Sequence, residues 1–178
     1  SVTTTGAQTL NNTVTLPRYT DGAGVQAFIT PSTVMGAATP NISIGYTNSA
    51  STAGRATPAT LPIGNTAAAV TSVVYSGTGA GKFGPFIPLQ AGDAGIKSVQ
   101  SISLSASYVS GVLNLVLCRP LLTLPITTLG VTAERDLINQ LNSGPRVYDG
   151  ACLAWLMLAG AATPVASPLS GHLEFGWT

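Results

Sequence analysis

His172 and Glu174 stand two residues apart, a spacing that on a strand points both side chains to one side, where they could relay a proton or supply two ligands to a metal. Two ligands do not make a metal site. His172 is also the single histidine, so any Ser-His-Asp or Cys-His arrangement would have to use it, and no G-x-S-x-G elbow accompanies it. A structural or interface histidine is the better account. Ser76-Gly-Thr-Gly-Ala-Gly-Lys82-Phe83 has the look of a phosphate loop, but that loop needs Gly where Ser76 stands and Ser or Thr, to hold magnesium, where Phe83 stands. A helix should follow, and Gly84-Pro85 blocks it. Cys118 and Cys152 form neither a CxxC pair nor a Cys/His cluster, and both lie in apolar runs, which favours two buried thiols over one disulfide. These residues point to no catalytic group, no cofactor and no metal.

The six acids are too sparse to argue for a glycosidase. Asp21, Asp93 and Asp149 each stand in a turn-like context, where Asp commonly bonds the local backbone. Glu134-Arg135-Asp136 most simply solvates one face of a helix, and Arg146 is placed to bridge the end of that helix to the next strand. The seven cations lie far apart and the net charge is +1, which argues against a basic groove for nucleic acid.

Charged residues make up 7% of the chain against about 25% in ordinary soluble domains. Hydrophobic residues make up 45%, yet no run is long enough to cross a bilayer. Near-zero charge removes the repulsion that keeps monomers apart, so the composition points to a surface covered by other protein chains. Ser1 to Asn12 lacks the basic and apolar regions of a secretory signal. The two short glycosylation patterns, at Asn11 and Asn41, are discounted for want of a secretory route.

At 178 residues one domain is the default, here 16–178, preceded by a Thr-, Ser- and Asn-rich extended arm at 1–15 that contacts a neighbouring chain. Val25 to Thr30 and Asn41 to Thr47 read as strands, with Pro31 and Pro40 as breakers; Ile42, Ile44 and Tyr46 share one face. A long surface loop surrounds Arg55, and a short strand is expected at Ala69 to Tyr75. The prolines around Phe83 to Leu89 favour an extended segment near an edge. Ile96 to Tyr108, with a slip in register near Ser101, and Val112 to Cys118, buried on both faces, are expected to pair as a hairpin at the centre of a sheet. Thr132 to Leu141 reads as the one short helix, and Ala151 to Leu158 and Gly171 to Trp177 as closing strands. Trp155, inside LAWLML, is read as core, leaving Trp177, Tyr19, Tyr46 and Tyr108 as less buried aromatics suited to stacking on sugars. The fold class is all-β and mainly antiparallel, a β-sandwich or jelly-roll-like domain with one short helix.

Four phrases then stand out: Asn41-Ile-Ser-Ile-Gly-Tyr-Thr-Asn, Phe83-Gly-Pro-Phe-Ile-Pro-Leu-Gln-Ala-Gly-Asp-Ala-Gly-Ile-Lys-Ser, Leu117-Cys-Arg-Pro-Leu and Arg146-Val-Tyr-Asp-Gly-Ala-Cys-Leu-Ala-Trp. With the closing Gly-His-Leu-Glu-Phe-Gly-Trp they resemble a group of tailed-bacteriophage virion structural proteins over most of residues 16–178. The resemblance rests on apolar and turn phrases and transfers no catalytic residue. It implies a decoration or cement protein made in the host cytoplasm and carried on the capsid surface. Its partners would be the major capsid protein or another virion protein and further copies of itself, with a trimer suiting three-fold positions, and with neither nucleic acid nor membrane. Leu10, Arg18, Tyr19, Arg55, Lys82, Arg146 and Trp177 are the candidate partner contacts. The competing reading is a tail, fibre or head-surface module that recognises host carbohydrate through loops around Arg55 and Gly77 to Gly81.

Overall fold

The computed structural model describes residues 8–9, 16–36, 38–58, 61–63, 85–128, 130–136, 146–157 and 170–173. The chain divides into two units, Ser1–Pro120 and Leu121–Thr178, a boundary that the composition does not announce. Among the described residues there are six strands, all in the first unit: β1 (Gln8–Thr9), β2 (Gln26–Thr33), β3 (Ile42–Asn48), β4 (Arg55–Ala56), β5 (Ile96–Leu104) and β6 (Val112–Cys118). They pair antiparallel in a four-stranded sheet of order β1-β5-β3-β4 and a two-stranded sheet β2-β6. The fold is all-β.

Alternation makes β3. Ile42, Ile44 and Tyr46 point inward and are fully buried, while Ser43, Gly45 and Thr47 between them are half-exposed. Its neighbour β5 does not alternate cleanly, and two bulges reconcile it with the core. Leu104, Ile102, Val99 and Ile96 stand opposite Ile42, Ile44, Tyr46 and Asn48, so Gln100 and Lys97 are the extra residues. Each bulge returns the next apolar side chain to the inner face, which a strict period of two would have turned outward. The expected slip near Ser101 is the first of these. Gly45 lies where a Cβ would sit 2.5 Å from Ser101 Oγ, so a larger residue would require the Ser101 hydroxyl to turn aside.

In the second sheet Ala27, Ile29 and Pro31 stand opposite Leu117, Leu115 and Leu113. Pro31 does not end β2; the strand continues to Thr33 through an irregularity between Pro31 and Thr33. The other side of β2 receives the Ile87 N–H at the Ala27 carbonyl (2.8 Å) and the Ile96 N–H at the Val25 carbonyl (3.0 Å). The first places the proline-rich segment along an edge. Side chains of both sheets meet in one core with Met35, Leu61, Ile63, Ile87 and Tyr108.

Several expectations fail. β5 and β6 are consecutive but not paired, because the connection between them is itself pinned: Tyr108 is buried, its hydroxyl donates to the Gly111 carbonyl (3.1 Å), and the Gly36 N–H donates to the Ser110 carbonyl (2.9 Å). The chain thereby crosses to β2. Nor is β6 covered on both faces, since Leu113 is buried but Asn114 is exposed and the rest half-buried. The helix expected at Thr132 to Leu141 is absent from its described part, 132–136, where no side chain is buried to offset the cost of nucleation; 137–141 lie outside the described residues. The closing strand at Ala151 to Leu158 is not formed over 151–157, and 171–173 are likewise irregular. The strand expected at Ala69 to Tyr75 lies outside the described residues. In the expected arm, Gln8–Thr9 pair with β5 of the same chain. Among the described residues no helix is long and apolar enough to cross a membrane.

Candidate functional site

The densest polar constellation is centred on Asp93, whose side chain is 2% exposed. The inward parity of β3 carries Tyr46 and Asn48 to the end of the sheet, where β4 places Arg55 opposite Tyr46. A tight turn, closed by the Asp93 N–H on the Gln90 carbonyl (3.0 Å), brings in the carboxylate. Tyr46 Oη donates to Asp93 Oδ2 (2.6 Å), Asn48 Nδ2 to Oδ1 (2.7 Å), and the Arg55 fork to both, Nε to Oδ2 and Nη2 to Oδ1 (each 3.0 Å). Four donors thus meet the roughly four lone-pair sites of one carboxylate. Tyr46 Oη in turn accepts the Gln90 N–H (2.8 Å), and Asn48 Oδ1 accepts the Thr52 N–H (2.8 Å).

The electrostatics follow the geometry. The hydrogen bonds from Arg55 and then Tyr46 hold the Asp93 carboxyl down at about 2. Burial, followed by the bond to Asp93, raises the Tyr46 hydroxyl, and Asp93 raises the Arg55 guanidinium further. At neutral pH the carboxylate is anionic, and each acceptor position is engaged. It is arranged to clamp the 48–56 loop and the 90–93 turn onto the sheet, and a group so occupied is poorly placed to take a proton from a substrate.

The other candidates fall apart from this cluster. Arg55 belongs to it. In the first unit Arg119 lies over the Tyr19 ring, 4.1 Å from its centroid, next to Gly24, and Tyr19 has a left-handed φ of 54°. Arg18, beside it, is half-exposed. In the second unit Arg146 lies 5.0 Å from the Tyr148 centroid and stands in an irregular segment, with no described helix for it to bridge. Leu10, Lys82, Trp177 and Glu174 lie outside the described residues; His172 is exposed. Asp21 Oδ1 accepts the Ala23 N–H (3.1 Å), the local turn bond expected of it. Among the described residues no three His, Cys, Asp or Glu side chains gather as a metal site would require.

Two aromatic expectations are reversed. Tyr46 and Tyr108 are core residues, whereas Trp155 is 64% exposed. Leu153 and Met157 share that exposure, at 43% and 61%. Both cysteines are free, with Cys118 half-buried and Cys152 exposed rather than buried. The described residues of the second unit include not one buried side chain. An apolar run such as the one around Trp155 is core only where other residues cover it, and here Leu153, Trp155 and Met157 are left exposed. In the first unit Val34 and Val109 are also exposed, and Val109 holds φ 76°, which is strained for a β-branched residue.

Neither a protein-family model, a curated protein nor a solved structure matches this chain.

Proposed function

We propose that this chain is a non-enzymatic structural subunit of a tailed-phage virion, a decoration or cement protein that binds the capsid shell and bridges neighbouring capsomers, most simply as a homo-oligomer. The observation that carries the assembly part of this reading is the second unit's exposed apolar side chains, Leu153, Trp155 and Met157, in a chain with only 7% charged residues. Such a surface is unfavourable in water and becomes favourable against another chain. The virion part is supported by the sequence phrases quoted above. On this reading the two sheets of the first unit are the halves of a sandwich, held rigid at one end by the Asp93 clamp, and the exposed apolar side chains are the adhesive. Contacts repeated over a shell add by multivalency, and apolar contacts resist changes of salt better than exposed ion pairs do.

The carbohydrate reading loses Tyr46 and Tyr108 to the core and keeps Trp155 as an accessible aromatic face. Co-sedimentation of the purified chain with empty phage shells, beside a glycan-binding screen, separates the two. The cement reading expects saturable attachment to shells that persists in high salt. Attachment to glycans alone would replace it.

A further inference from the structure

Strand β6 pairs with β2 on one side, and among the described residues no strand pairs with its other edge. That edge runs for seven residues, Val-Leu-Asn-Leu-Val-Leu-Cys, with neither charge nor proline to discourage pairing. The second unit holds a segment of the same kind: 151–157, Ala-Cys-Leu-Ala-Trp-Leu-Met, is also uncharged and seven residues long, and its large side chains Leu153, Trp155 and Met157, which would share one face of a strand, are exposed, as are Cys152 and Ala154.

We infer that segment 151–157 of one copy adds as an antiparallel strand to the edge of β6 in a second copy of this chain, a contact that rests on the assembly reading above. One register satisfies both partners. With Cys152 opposite Cys118, Leu153 meets Leu117, Trp155 meets Leu115 and Met157 meets Leu113, so the exposed side chains of the segment join the face on which β6 already contacts the core. The occupant is a second copy because length and lack of charge match, and because a net charge of +1 puts little repulsion between copies. The area also suffices. Large side chains offer roughly 200 Å² each, so exposures of 43%, 64% and 61% leave about 300 Å² of the segment uncovered. Counted on both faces of two reciprocal exchanges this becomes about 1,200 Å², above the roughly 1,000 Å² that a specific contact needs.

The register carries its own reporter, since facing cysteines on neighbouring strands have Cβ atoms about 4.5 Å apart, within reach of a disulfide. The purified chain is weighed by light scattering, then treated with oxidised glutathione, which takes up the two electrons and two protons that the thiols release. The expected result is an oligomer that oxidation converts to a covalent species of at least twice the chain mass. Peptide mapping should place the link between Cys118 of one copy and Cys152 of another, and C118S or C152S should abolish it. Trp155→Asp, and separately Leu153→Pro, which removes an N–H that this register aims at the free edge of β6, should each weaken association at least tenfold while the first unit stays folded by circular dichroism. A monomer at all concentrations, or a link formed only within one chain, overturns the inference. An oligomer that keeps its mass in both variants and forms no such link overturns this contact and leaves the assembly reading standing. Absence of the chain from shells defeats the assembly reading whatever the link shows.

Discussion

Replacing Tyr46 by Phe removes a single oxygen from a side chain that is fully buried in the core. That oxygen donates to the Asp93 carboxylate at 2.6 Å and accepts the Gln90 N–H at 2.8 Å. A hydrogen bond to a charged group contributes about 1.5–3 kcal/mol net, and the Gln90 N–H left without its acceptor adds about 1 kcal/mol, so the loss should be about 3 kcal/mol. The ring stays, so no cavity contributes. For a folded unit of this size about 3 kcal/mol corresponds to a melting temperature lower by about 10 °C. The control is Tyr108→Phe, whose hydroxyl donates at 3.1 Å to the neutral Gly111 carbonyl and should cost about 1 kcal/mol. Urea unfolding followed by tryptophan-independent far-UV circular dichroism gives both values, with the slope expected to be unchanged. If Tyr46→Phe costs no more than Tyr108→Phe, the view of Asp93 as the hub of a clamp is wrong.

Four further outcomes follow from the same geometry. Because the folded Asp93 titrates at about 2 against an ordinary 3.8, its stabilisation is fully present above about pH 4 and is lost as the pH falls toward 2; the urea midpoint should drop across that window, and Asp93→Asn should flatten the drop. Gly95→Ala should fail to fold or should melt far below the wild type, since a Cβ there would meet the backbone of Gly22 and Gly24, whereas Gly54→Ala, at φ 72° with open space around it, should cost only about 1 kcal/mol. Ile44→Ala, at a fully buried position, should cost about 2–5 kcal/mol by urea unfolding. Val109→Asn should raise stability by about 1 kcal/mol by relieving the left-handed strain at an exposed site, and a loss of stability would refute that reading of the loop.

The strands were legible where burial left a period. Ile42, Ile44 and Tyr46 declare the inner face of β3, and the broken spacing of Val99 and Ile102 declares a bulge. Partnership was not legible. Adjacent strand-like runs suggest a hairpin, and nothing local tells that Tyr108 and the Gly111 carbonyl lock the connection so that β6 reaches β2. The continuous apolar run ACLAWLML likewise suggests a strand but does not tell what covers it. The Asp93 cluster was hidden for another reason. Its partners lie 38 to 47 residues away, and Asp in a Gly-Asp-Ala-Gly context reads as a local turn residue. Asp93 does sit in that turn, but its side chain turns to Tyr46, Asn48 and Arg55 instead. The rarity of charge was the available signal, because an Arg and an Asp in so uncharged a chain each have few alternatives.

The most direct test of the assembly claim is cryo-electron microscopy of the native virion, or of empty shells incubated with the purified chain. The account expects regular density bridging neighbouring capsomers, into which the two-sheet unit fits. Density confined to a tail or fibre, or shells left bare, would contradict it.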